Sequence, residues 1–199
     1  SALMYVCSIP GLPQSTSYQI ATEEATLLSQ YIQKKSLSGF EKEAGEFLAD
    51  ICRDKGLIVE KLPSPENSCN FAASLSPLSD NKPNIIFLNH IDVVPEGNTG
   101  SWLYEPFSGT IADNSVWGRG AIDLKGVAIM QLMAIEKAKQ WGGEEALPYN
   151  VTLLCVSGEE MDNQGIKDVI ENSFEKLNPV VVFGEGGTGL SQISRGHPE

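Results

Sequence analysis

The chain has 199 residues, 41% hydrophobic and 20% charged, the balance of a soluble globular protein with room for one well-buried domain. Its formal net charge of −12 argues against nucleic acid as a partner, because phosphate binding relies on clustered Lys and Arg. No apolar run reaches the ~18 residues that a membrane-spanning helix needs, and no signal peptide is visible, although Ser1-Ala2 fits what processing or tag removal leaves behind.

Residues 1–21 hold prolines and little periodicity and are expected to form an arm ahead of a domain over 22–199. Thr22-Glu23-Glu24 has the composition of a helix start, with Ala25, Leu27, Leu28, Tyr31 and Ile32 following at helical spacing. A second helix is expected over about Phe40–Lys55, its stripe made by Ala44, Phe47, Leu48, Ile51 and Cys52, with Gly56 as its stop. Leu57–Leu62, Asn70–Leu75, Asn84–Leu88, Val151–Val156 and Val180–Phe183 read as short strands. Residues 97–109 read as a loop, and helices are expected over about Gly126–Gln140, ended by Gly142-Gly143, and Gly165–Phe174. Strands alternating with helices predict an α/β fold, a largely parallel mixed sheet sandwiched by helices. The four cysteines, Cys7, Cys52, Cys69 and Cys155, lack C-x-x-C spacing; Cys52 and Cys155 read as small buried hydrophobes, and the set favours a reducing, cytoplasmic compartment over disulfides or a thiolate site.

The polar groups of interest sit at the ends of apolar strands. His90 and Asp92 follow one, Glu159 and Glu160 another, and Glu185 a third. In open α/β sheets the carboxyl ends of the strands form the ligand crevice, so these groups are expected to converge. Asp123 lies in Val116–Gly126, where Gly118, Gly120 and Gly126 allow tight or left-handed turns ahead of an apolar helix. Taken alone, Asp123 is as readily a helix N-cap as a ligand. Imidazole and carboxylates together suit metal better than a nucleophile triad. A ligating His usually donates its other N–H to a carboxylate, which fixes its tautomer and suits His90-x-Asp92. Glu159-Glu160 offers one carboxylate as ligand and its neighbour as base.

These stretches, in this order, resemble the M20 metallopeptidase family, the aminoacylase, carboxypeptidase and deacetylase group. The matching motifs are Leu88–Pro95, Trp102 with Pro106-Phe107-Ser108-Gly109, Trp117–Gly126, Ser157-Gly158-Glu159-Glu160 and Phe183–Gly187. Glu185-Gly186-Gly187 and Gly196-His197-Pro198-Glu199 are most similar to the carboxypeptidase S-like branch, although Gly184 stands where that branch has an acid.

The resemblance implies a zinc-peptidase catalytic domain acting on a peptide or N-acyl amino-acid substrate with two Zn²⁺ ions, for which Co²⁺ or Mn²⁺ can substitute. His90 and Glu185 would bind one ion, Glu160 the other, and Asp123 would bridge them. Glu159 would be the general base and acid, and Asp92 would orient His90. It also implies a cis peptide after Asp123. Family members are longer, with a lid that also forms a homodimer and a further histidine ligand near the C-terminus. The stretch seen here therefore corresponds to the N-terminal part of the catalytic domain, and His197 precedes the lid. An M28-type aminopeptidase shares a similar ligand order, and a metal-binding module without turnover is a further alternative.

Overall fold

The computed structural model describes residues 21–185, apart from the side chains of 141–146. The expected arm over 1–21 and His197 thus fall almost wholly outside the described residues. Helix α1 (Glu23–Gln33) starts where Thr22 caps it, the threonine hydroxyl accepting from the Ala25 N–H at 3.3 Å. Helix α2 (Lys42–Asp54) starts two residues later than its periodicity suggests, because Phe40 is exposed and Glu41 takes the N-cap position. It ends at Gly56, whose φ of +76° a side chain would disfavour.

Strands β1 (Ile58–Leu62), β2 (Asn70–Ser74), β3 (Asn84–His90), β6 (Asn150–Val156) and β7 (Pro179–Phe183) form one sheet in the order β1-β2-β6-β3-β7. The β2 strand runs against β1 and β6, whereas β6, β3 and β7 pair in parallel. Only β2 therefore opposes the common direction, as a largely parallel mixed sheet requires. Strand β3 is longer than its apolar run and includes Asn89 and His90, paired with Cys155 and Val156.

Between β3 and β6 the chain makes a hairpin of β4 (Thr110–Ala112) and β5 (Ser115–Trp117), then helix α3 (Lys125–Ala146). The hairpin is absent from the sequence reading; Asp113 and Asn114, at φ +51° and +56°, supply its turn. Helix α3 also continues through Gly142-Gly143 to Ala146, beyond the expected stop. A glycine costs a helix only about 1 kcal/mol, which neighbouring turns can offset. Helix α4 (Gln164–Leu177) likewise runs one turn past its expected end, and its last residue, Leu177, is buried. No helix of the described residues is long and apolar enough to cross a membrane.

Alternation along the strands divides the core between the two faces of the sheet. Phe71, Ala73, Leu153 and Cys155 face α1, α2 and α3, meeting Tyr31, Leu48 and Leu132. Ala72, Ile86, Leu154 and Val156 face α4 through Val169 and Leu177. Cys52, Cys69 and Cys155 are free and buried, and burial pushes the Cys52 thiol up to about 12. From β3 the chain crosses through α3 to one neighbour, β6, and then through α4 to the other, β7. The two crossovers diverge at the carboxyl end of β3, where His90 sits, and such a divergence opens a crevice.

Candidate metal centre

His90 ends β3 with its side chain almost wholly buried. Its Nδ1 lies 2.9 Å from the backbone carbonyl of Asp92 and 3.5 Å from the Asp92 carboxylate. A carbonyl only accepts, so Nδ1 carries the proton in the neutral ring and the Nε2 lone pair is turned to the crevice. There Nε2 stands 3.1 Å from Asp123, 3.3 Å from Glu185 and 3.9 Å from Glu159. Burial opposes a charge on His90, but Asp92, Glu185 and Asp123 outweigh it and raise the pKa to about 9.

Asp123 reaches this point from the glycine turn. Gly120 has φ +81°, and a Cβ on Gly126 would stand 2.2 Å from the Ala121 carbonyl oxygen, so neither position accepts a side chain readily. The Asp123-Leu124 peptide is cis, as the resemblance implies. Asp123 is not the helix cap: Leu124 holds that position, without a side-chain cap bond, and the Asp123 carboxylate is 62% exposed and turned to His90. Lys125 anchors the turn from behind. Its buried ammonium donates to the carbonyls of Tyr31 and Lys34 at 3.0 and 2.6 Å, tying the start of α3 to the end of α1. Trp102 and Phe107, prominent in the motif pattern, lie outside the cluster: Arg119 stacks over Trp102, and Lys35 over Phe107.

Asp92 does more than face the imidazole. It is fully buried, and its two oxygens accept the Glu159 and Glu160 N–H groups at 3.1 and 3.0 Å and the Ser38 hydroxyl at 2.7 Å. Burial works against its negative charge, but these donors and His90 together hold its pKa below the usual range. One residue thus fixes His90, through its backbone carbonyl, and the Glu159-Glu160 backbone, through its carboxylate. Glu160 and Glu185 are raised, first by burial and then by the charges around them, Asp123 among the carboxylates in both cases.

Among the described residues, two groups have ligand atoms within 4.8 Å of one another: His90 with Asp123 and Glu185, and His90 with Glu159 and Glu160. The first brings together the three residues expected around one ion. The second brings Glu160 to His90 and Glu159, where the resemblance implied Asp123 and Glu160. The donors suit a divalent ion. Ligands about 2.0–2.2 Å from a tetrahedral ion stand about 3.3–3.6 Å apart, close to the 3.1 and 3.3 Å separations at Nε2. Ser38, Glu41 and Asn70 also reach the backing of the site, and the sequence reading gives none of them a role there. Ser38 and Glu41 lie between helices and Asn70 opens a buried strand, positions whose spacing carries no ligand signal, and only the packing brings them near.

Among solved structures, an M20 family metallo-carboxypeptidase from Sulfolobus solfataricus matches with a TM-score of 0.71 and 27% identity, over 84% of this chain and 38% of that one. A probable succinyl-diaminopimelate desuccinylase of Staphylococcus aureus (strain MRSA252) is 26% identical over 176 residues, 87% of this chain and 42% of the relative. A succinyl-diaminopimelate desuccinylase of Xanthobacter autotrophicus is 32% identical over 108 residues, 54% of this chain and 29% of the relative. The chain thus spans less than half the length of these relatives. The model of peptidase family M20/M25/M40 matches residues 86–194, which run from β3 past Glu185 and take in every residue of the cluster; the chain belongs to that family.

Proposed function

We propose that this chain carries the metal-binding half of the active site of a hydrolase that cleaves a peptide or N-acyl amino-acid amide bond. The observation that carries the reading is the environment of His90. Its Nδ1 is committed to Asp92, and its Nε2 faces carboxylates from two other segments at 3.1 and 3.3 Å. The relatives, a desuccinylase and a metallo-carboxypeptidase, support it at the level of substrate class.

His90, Asp123 and Glu185 would hold one Zn²⁺ and Asp123 and Glu160 a second, with Co²⁺ or Mn²⁺ as substitutes. Such ions supply Lewis acidity, polarising an amide carbonyl and making water acidic enough to attack near neutral pH. Asp92 keeps the His90 proton on Nδ1 and the lone pair on Nε2. Glu159, 41% exposed and 3.9 Å from His90, would take a proton from the attacking water and deliver it to the departing amine nitrogen.

In the complete protein, Glu159→Gln removes the proton carrier and leaves the metal ligands in place. Turnover should fall by about 100-fold or more with bound metal unchanged, as read by steady-state kinetics and metal analysis. Substantial residual hydrolysis would contradict the assignment of Glu159. A second reading is favoured by one observation: among the described residues His90 is the sole imidazole at the site. Under that reading the 199-residue chain binds metal but hydrolyses nothing, and a longer form of the protein supplies the activity.

A further inference from the structure

Four consecutive amides leave the end of β6, and each donates to a buried side-chain oxygen. Ser157 N–H reaches Asn70 at 2.9 Å, Gly158 N–H reaches Glu41 at 3.2 Å, and the Glu159 and Glu160 N–H groups reach Asp92. With its amides turned inward, the loop presents the Glu159 and Glu160 side chains to the crevice. Gly158, at φ +71°, lets the chain take that path.

Glu41 is the unexpected member. It is fully buried, and the partners of its carboxylate are neutral donors: Gly39 N–H at 2.8 Å, the Ser68 hydroxyl at 2.7 Å and Gly158 N–H. Burying a carboxylate is costly even when its lone pairs are satisfied. A local turn would not need it, because Gly39 is only two residues away. What the carboxylate adds is a tie from the N-cap of α2, where its own backbone is fixed by the Gly45 N–H at 2.8 Å, to a residue 117 positions along the chain.

We infer that Glu41 is a positioning residue for the metal centre, holding the Gly158 amide so that Glu159 and Glu160 stand at the distances the site requires. The inference rests on the metal-centre reading of the preceding section. Its ligand contact is indirect, since Glu41 grips backbone and touches neither glutamate side chain through these bonds.

The test is a Zn²⁺ titration of the 199-residue protein and its variants, at a temperature where circular dichroism shows each of them folded. Glu41→Ala orphans the Gly158 N–H and should weaken Zn²⁺ binding by about tenfold or more, the loss typical of removing a residue that orients ligands. Glu41→Gln can keep an acceptor toward Gly39 and Gly158 and a polar partner for Ser68, so its affinity should stay within about threefold of the parent. Ile135→Val in the core of α3 lowers stability away from the site and should leave affinity unchanged. If Glu41→Ala does not stay folded, Glu41→Asp, which keeps the charge but falls short of Gly158, should show the same tenfold loss. Parent-like affinity in the Ala or Asp variant would overturn the inference alone, as would an equal loss in Ile135→Val. A parent that binds no Zn²⁺ would overturn the metal-centre reading and this inference with it.

Discussion

At the scale of single residues, the site depends on where His90 keeps its proton. The ring is held on one side by Asp92 and faces two carboxylates on the other, so without metal its pKa rises to about 9. Between the ordinary value near 6.5 and this raised one, the metal-free site therefore binds a proton that an unperturbed histidine would have lost. A metal ion needs the neutral ring and must displace that proton. Affinity should accordingly rise as pH climbs toward 9 and flatten above it. At pH 7 binding should release about one proton, measurable by calorimetry in buffers of different ionisation enthalpy. A binding heat independent of the buffer would contradict this account of His90. The residue types were plain in the sequence, because an imidazole and acids at successive strand ends have few other uses. The division of labour around Asp92 was not. That its carbonyl meets the ring, while its carboxylate holds two amides from β6, follows from the register of β3 and β6.

At the scale of elements, the turn from Gly118 to Gly126 carries Asp123 because it is closely packed. Gly118, Gly120 and Gly126 were legible as a turn, and the first two have the backbone angles that only glycine adopts without strain. The helix-cap alternative was settled by packing: Lys125 enters α3 in a buried position and fastens it to α1, which leaves Asp123 outside the helix. Gly126→Ala would set a methyl 2.2 Å from the Ala121 carbonyl oxygen, closer than real contacts allow, and the backbone of the turn would have to move. The variant should lose about 1–3 kcal/mol of stability, a drop of several degrees in Tm, and should bind Zn²⁺ more weakly than its stability loss alone explains. Wild-type melting together with wild-type affinity would show that the turn has slack. The β4–β5 hairpin and the full length of α3 escaped the sequence for local reasons. Three-residue strands have too little alternation to register, and paired glycines weaken a helix without ending it.

At the scale of the molecule, the sheet gathers ligands that lie far apart in sequence. Strands β3, β6 and β7 run in parallel and side by side, so their carboxyl ends deliver His90, Glu159 with Glu160, and Glu185 to one edge. The alternation of strands and helices sufficed to predict this convergence. It could not reveal the strap between α1 and α2, from which Ser36, Ser38 and Glu41 each reach past the sheet to the backbone or carboxylate behind the site. Such long-range hydrogen bonds leave no periodic trace. The central claim is that His90, Asp123, Glu160 and Glu185 form a metal centre, with Asp123 shared between its two halves. An equilibrium Zn²⁺ titration of the protein against its Asp123→Ala variant tests it most directly. The parent should bind Zn²⁺ tightly, and the variant, folded by circular dichroism, should lose about tenfold or more in affinity; identical titrations of the two proteins would contradict the claim.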